Sequence, residues 1–250
     1  QHFLIAQAVL RKVIEAADLR PDDIVLEIGP GIGTLTQELA QRVKRVIAIE
    51  KDPKMIDILK ETLKDFKNIE VAQGDIRNLK LEIRNYKVVA NLPYYITSPV
   101  IRKFLENPEA RPLTMVLMVQ KEVAQRICAK PPDMTLLAVS VQFYAEPKII
   151  DYVSKKSFWP APKVDSAIIK IIPHKSASAI RVNPLLFFKI VKAGFSQPRK
   201  QLANNLSKIF KTDRDRIQNW LLANSIQPTQ RAETLSMEDW IKLTKSFIIR

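Results

Sequence analysis

Ile24-Val25-Leu26-Glu27-Ile28-Gly29-Pro30-Gly31-Ile32-Gly33 is an apolar run that ends in three glycines at alternate positions. Continuous apolar character over a short span, bounded by turn residues, reads as a strand buried on both faces, as in parallel sheets. The glycines allow a tight turn and let the backbone approach a ligand closely. Thr34 to Arg42 then opens a helix. Strand, glycine turn and helix form the first βα unit of a nucleotide-binding α/β fold, whose ligands sit outside the carboxyl ends of the strands.

Downstream, Arg45-Val46-Ile47-Ala48-Ile49-Glu50 is a second strand ending in an acid, as expected for a carboxylate that binds ribose hydroxyls. The dinucleotide fingerprint is G-x-G-x-x-G, whereas the spacing here is Glu27-x-Gly29-x-Gly31-x-Gly33. The preceding acid and the tighter glycine spacing point to S-adenosylmethionine rather than NAD. A third strand, Ile69 to Ala72, leads into Gln73-Gly74-Asp75, where a carboxylate is placed to accept the cofactor's adenine amino group. Glu50 also reads as a helix cap and Asp75 as a turn residue. Acids on three successive strands favour the ligand reading.

Val88-Val89-Ala90 is a further short buried strand, followed by Asn91-Leu92-Pro93-Tyr94 and Tyr95. A proline two residues past the run ends the strand there. The plain reading is an Asx turn. The chemical reading is methylation of a planar exocyclic amine, whose lone pair is delocalised into its ring. The Asn91 side-chain oxygen and a backbone carbonyl can hold the two amine hydrogens and favour a pyramidal nitrogen, while Tyr94 offers a stacking face.

Residues 5 to 18 carry apolar side chains at helical spacing. Thr97 or Ser98 is expected to cap a helix with Pro99 near its first turn. Leu113 to Val119 reads as a buried strand and Lys121 to Ala129 as a helix broken by Pro131-Pro132. Met134 to Tyr144 reads as an apolar helix, with a strand as the alternative. Two strands, Lys148 to Val153 and Ser166 to Ile172, follow. The prolines of Phe158-Trp159-Pro160-Ala161-Pro162-Lys163-Val164-Asp165-Ser166 are expected to stiffen that loop and keep it from pairing. Beyond Ser176 the strands stop, and helices are expected near 184–195, 199–208, 213–223 and 237–248. The expected domains are therefore 1–175 and 176–250. The second holds 13 Lys and Arg against 5 Asp and Glu, a net +8 within a whole-chain charge of +14.

That charge implies attraction to a polyanion, most simply nucleic acid. One Cys in 250 residues excludes a disulfide framework and fits a reducing compartment. No apolar run reaches the length of a membrane span, and no signal-peptide pattern opens the chain. Two His and one Cys offer too few ligands for a metal site. Cys128 reads as a small core residue, His174 as solvated, and Trp220 and Trp240 as core anchors of the small domain.

With these motifs in order, the chain resembles the KsgA family of rRNA adenine N6,N6-dimethyltransferases, whose sister group is the Erm enzymes acting on 23S rRNA. Gln1-His2-Phe3-Leu4 is similar to the family's N-terminal Gln-Asn-Phe-Leu cofactor motif. Glu27 to Gly33, Glu50 and Asp75 match its glycine motif, ribose acid and adenine-contacting acid. Asn91 to Tyr94 matches its catalytic Asn-Leu-Pro-Tyr. Phe158 to Ser166 matches the segment whose Phe stacks on the target base, and Phe195, Arg199-Lys200 and Asn204-Asn205-Leu206 resemble its C-terminal basic motif. The resemblance implies an α/β fold, a Rossmann-like class I S-adenosylmethionine methyltransferase sheet with a small C-terminal all-α domain. It implies catalytic roles for Asn91, Leu92, Pro93, Tyr94 and Phe158. Cofactor contacts fall to His2, Leu4, Gly29, Gly31, Gly33, Glu50, Asp75 and Asn91, and RNA contacts to Lys163, Arg199, Lys200 and Asn204. The implied partner is 16S rRNA in the small ribosomal subunit, for a cytoplasmic monomer without metal. Three departures stand out: His2 for the usual Asn, Ala6 for a polar residue, and a short loop at 129–135 without the usual Tyr-Gly. An Erm-type enzyme, a non-catalytic RNA-binding assembly factor and a NAD-dependent oxidoreductase are the alternatives.

Overall fold

A computed structural model describes residues 2–174 and 182–247. Gln1 and the expected boundary at 175/176 lie outside the described residues. The strands are β1 (Phe3–Leu4), β2 (Ile24–Ile28), β3 (Arg45–Glu50), β4 (Ile69–Gln73), β5 (Tyr86–Asn91), β6 (Thr114–Gln120), β7 (Ala145–Val153), β8 (Phe158–Trp159) and β9 (Ser166–Pro173). The helices are α1 (Gln7–Ala17), α2 (Thr34–Ala40), α3 (Pro53–Thr62), α4 (Thr97–Glu106), α5 (Lys121–Ile127), α6 (Leu136–Gln142), α7 (Pro184–Gly194), α8 (Leu202–Phe210), α9 (Arg214–Ala223) and α10 (Met237–Lys245).

The chain divides into two compact units, Gln1–Gln125 with Ala145–Pro173, and Arg126–Tyr144 with His174–Arg250. In the first, seven strands form one sheet in the order β4-β3-β2-β5-β6-β9-β7. β4, β3, β2, β5 and β6 run parallel, and β9 inserts antiparallel between β6 and β7. The apolar runs are buried on both faces because alternate residues point to opposite sides. Val25, Val46, Val89 and Val116 belong to one apolar cluster with Leu10, Val13 and Ala17 of α1 and Leu35 and Leu39 of α2. Strand order reverses at β2, whose neighbours are β3 and β5, so a crevice opens at their carboxyl ends.

Two local expectations are corrected here. Residues Tyr94–Ile96 form a 3-10 turn that runs directly into α4. Thr97 is therefore the first helical residue rather than a cap, and its buried hydroxyl has no hydrogen-bond partner. The proline-rich loop does pair at its start: Phe158 and Trp159 lie antiparallel to Leu4 and Phe3. The prolines lie after this pair, and a residue preceding proline, here Trp159, is pushed toward extended backbone, so the two-residue ribbon is free to form.

The second unit corrects the domain division drawn from composition, which placed Arg126–Tyr144 with the sheet. α6 is a helix, capped by the Thr135 hydroxyl accepting from the Ala138 N–H at 2.9 Å. It buries Ala138 and Val139 in a cluster with Phe143, Phe187, Ile190, Leu206 and Trp240. Its apolar face belongs to the helical core. Trp240 is fully buried, whereas Trp220 is half-buried and donates its indole N–H to Ser246 Oγ at 2.9 Å. Cys128 is half-buried. His174 is not simply solvated, because its Nε2 lies 3.2 Å from the Gln142 carbonyl and its backbone N–H bonds Tyr144 O. Among the described residues no helix is long and apolar enough to cross a membrane.

Candidate active site

The crevice at the carboxyl ends of β2, β3, β4 and β5 is a cavity of about 730 Å³. Its wall includes His2, Leu4, Gly29, Gly31, Glu50, Asp75, Phe158 and the whole of Asn91–Tyr94. All the residues expected for catalysis thus meet there, and all those expected for the cofactor except Gly33. Gly33 stands behind the wall as the residue capping α2, with φ at +89°. Gly31 has φ of +60°, and a Cβ there would lie 3.1 Å from the Phe3 ring. The glycine turn is thus fitted against β1 as well as left-handed, a combination that needs glycine.

Glu50 is 3% exposed. Its Oε1 accepts the backbone N–H groups of Lys51 (2.8 Å) and Asp52 (2.9 Å), which fixes the carboxylate. Its Oε2 is buried without a partner. A buried acceptor left open at a cavity wall is suited to a ligand hydroxyl, since such an atom otherwise bears an uncompensated desolvation cost.

Asp75 is engaged differently from expectation. Oδ1 accepts from Arg77 N (3.0 Å) and Nε (2.9 Å), while Oδ2 accepts from an Arg77 terminal nitrogen (2.6 Å) and faces Lys51 Nζ at 3.3 Å. The Arg77 bonds hold its carboxyl well below the usual carboxylate range. A carboxylate offers about four lone-pair sites, so this one is filled within the protein.

Glu27 also lines the cavity, fully buried. Burial pushes its carboxyl up to about 8; the nearby Thr36 hydroxyl pulls the other way without reaching hydrogen-bond geometry, and the Glu50 charge adds to the rise.

The acceptor end is built by two distant segments. The Asn91 amide Nδ2 donates to the His2 carbonyl at 3.3 Å, which leaves Oδ1 as the free acceptor of that side chain. His2 is in turn held by Nδ1 at 2.7 Å from the Pro160 carbonyl, and its ring stacks 6.3 Å from that of Tyr94. The Tyr94 hydroxyl lies 2.8 Å from Ser166 Oγ, so its ring is pinned to the start of β9. Phe158 forms part of the wall but is only 3% exposed, within the cluster that contains Leu4 and Val153. Tyr95, which the motif reading did not assign a role, also lines the cavity and is 73% exposed. The Arg77 partner of Asp75 was equally missed, although an acid and a base two residues apart in a turn carry that signal.

The expected RNA-contacting residues lie elsewhere. Lys163 is exposed beside a smaller cavity. In the helical unit Arg199 and Lys200 are exposed and Asn204 is half-buried. The adjacent Asn205 is buried, donating Nδ2 to the carbonyls of Gly194 (2.6 Å) and Gln197 (3.0 Å), which ties α8 to the end of α7. Phe195 packs against Trp240 at 5.7 Å between ring centres.

The family model described as ribosomal RNA adenine dimethylase matches residues 1–248. The chain is 48% identical over 248 residues to the ribosomal RNA small subunit methyltransferase A of Dehalococcoides mccartyi strain CBDB1, covering 97% of this chain and 85% of that one. It is 39% identical to the protein of the same name from Geobacillus kaustophilus, over 98% of this chain and 88% of the other. Among solved structures it is similar to a dimethyladenosine transferase from Plasmodium falciparum, with a TM-score of 0.82, 30% identity, and coverage of 97% and 96%. It is also similar to the 23S rRNA methyltransferase ErmE, with a TM-score of 0.79, 28% identity and 98% coverage of both chains.

Proposed function

The chain belongs to the ribosomal RNA adenine dimethylase family, and from that premise we infer that it dimethylates N6 of two adjacent adenines in a 3′-terminal stem-loop of small-subunit rRNA. The methyl donor in this reading is S-adenosylmethionine, which supplies an electrophilic methyl group on its sulfonium when bound. The single observation that carries the reading is the anchored Asn91 amide. With Nδ2 committed to His2 O, Oδ1 is left as the hydrogen-bond acceptor for the target amine.

The residues divide the work. Glu50 Oε2, open and buried, receives a ribose hydroxyl, and the turn at Gly29 and Gly31 lets backbone approach the donor. Asp75 receives the adenine amino group of the donor only if Lys51 or Arg77 releases one of its oxygens. A target adenine splayed from its stem, as base-modifying enzymes require, stacks on Tyr94. Phe158 closes the other side, its ring gaining surface as the base enters. Asn91 Oδ1 and the Leu92 carbonyl accept the two N6 hydrogens, and Pro93 holds the turn that presents them. Alignment of N6 with the methyl group supplies much of the rate through positioning. The cationic N6 formed on transfer is acidic and loses its proton without a dedicated base. Arg199, Lys200, Asn204 and the net charge of the helical unit serve the RNA phosphates. The protein acts as a cytoplasmic monomer in this reading.

An Erm-type activity on 23S rRNA is the second reading, supported by the similarity to ErmE; the higher identity to small-subunit enzymes favours the first. The test is transfer of radiolabelled methyl to unmethylated 30S subunits, with 50S subunits and free 23S rRNA as controls, followed by digestion. Label in 30S as N6,N6-dimethyladenosine supports the proposal. Label confined to 23S rRNA transfers it to the Erm reading, and no label with intact cofactor binding points to an assembly factor.

A further inference from the structure

Outside the active site, the described residues of the first unit enclose a second cavity of about 340 Å³, lined by Gln120, Lys121, Gln125, Lys155, Lys163 and Asp165, with Glu122 and Val164. Asp165 organises it. Its Oδ1 accepts the Lys155 backbone N–H at 2.9 Å, and its carbonyl accepts the Lys121 N–H at 3.0 Å. Three segments, the start of α5 directly after β6, the 3-10 turn Lys155–Ser157 and the loop before β9, are thereby drawn to one point with a lysine from each. Lys121 Nζ rests 5.2 Å from the centre of the Tyr152 ring, a cation–π position that keeps its ammonium at the surface. Lys155 and Lys163 have no ion-pair partner among the described residues.

This cavity sits on the acceptor side of the active site. Gln120 pairs with Ser166 in the β6–β9 register, and Ser166 Oγ is the atom bonded to the Tyr94 hydroxyl. One strand pair thus separates the lysines from the ring on which the target base stacks. We propose that Lys121, Lys155 and Lys163 hold a backbone phosphate of the RNA strand that carries the target adenine, fixing that strand while the base turns into the active site. Three ammonium groups against the carboxylates of Glu122 and Asp165 suit one phosphodiester rather than a run of them. The proposal rests on the RNA substrate inferred above.

The test is binding of the unmethylated RNA stem-loop by the full protein, measured as a function of salt, for wild type, Lys155→Gln and Lys155→Gln/Lys163→Gln. Lys67→Gln, exposed before β4 on the opposite edge of the sheet, controls for loss of bulk charge. Each lost phosphate contact lowers the slope of log K against log salt by about 0.7–0.9. The expected result is a slope smaller by about one such step in the cavity variants and unchanged in Lys67→Gln, with KM for RNA raised and S-adenosylmethionine affinity unaltered. An unchanged slope in the double variant, or an equal change in Lys67→Gln, overturns it. If wild type neither binds nor methylates rRNA, the inferred function fails instead.

Discussion

Replacing Glu27 by Gln should alter how stability depends on pH, and the size of the effect follows from its burial. In the folded protein its carboxyl titrates at about 8, against an ordinary 4.5. Between those values the folded state holds a proton that the unfolded chain has released. Rising pH therefore favours unfolding. The loss begins near pH 4.5, proceeds at about 1.4 kcal/mol per unit and is complete above pH 8. Across the full window it amounts to about 5 kcal/mol, an upper bound because buried sites relax as they ionise. Gln at this position keeps the shape and has no proton to lose. Every other titrating group is common to the two proteins, so the difference between their stabilities isolates this carboxyl. Urea unfolding at pH 5, 6, 7 and 7.5 should show Glu27→Gln gaining on wild type by about 3 kcal/mol over the series. Any constant offset from the amide is irrelevant. Parallel stability curves would refute the reasoning, and would mean that Glu27 is already ionised in the folded protein.

Asn91→Ala should leave S-adenosylmethionine affinity nearly intact by calorimetry and abolish methyl transfer; sustained turnover would remove Asn91 from the mechanism. Glu50→Gln removes a charge-assisted acceptor worth about 1.5–3 kcal/mol, so cofactor affinity should fall by about 10- to 150-fold, and an unchanged Kd would show that its open oxygen does not meet the ligand. Gly31→Ala forces a side chain into the left-handed region 3.1 Å from Phe3, and should cost about 1–2 kcal/mol in denaturant unfolding. Unaltered stability would indicate that the turn can relax.

The parts of the fold that depend on local pattern were readable from the residues. The run Ile24–Ile28 could only be a strand covered on both faces, and glycines at positive φ follow it because no side chain fits there. What escaped reading depends on chain segments meeting. β1 and β8 are two residues each, too short to show alternation, and their pairing joins residues near opposite ends of the first unit. The assignment of α6 to the helical core has the same origin: an apolar face shows that a helix is buried, not against what. α3 is a simpler miss, since Asp52 caps it and Pro53 opens it, a start signal that its residues display. Within the site, the positions of Asn91, Tyr94 and Glu50 followed from strand ends. The filled state of Asp75 did not, because it depends on where Arg77 and Lys51 turn their side chains.

The short ribbon that brings His2 beside Pro160 spans 158 positions of the chain. Closing a loop of that length costs about 4–5 kcal/mol in chain entropy, more than a handful of backbone hydrogen bonds returns at about 1 kcal/mol each. The ribbon therefore cannot initiate folding; it forms once the sheet has already drawn its ends together. Because His2 holds Asn91, that amide is fixed only after the sheet has formed. During synthesis, at about 5–20 residues per second, the Asn91 turn emerges several seconds before the segment that completes its surroundings. A nascent chain with a finished parallel sheet would thus lack the partners that hold His2 and Tyr94 until Pro160 and Ser166 arrive.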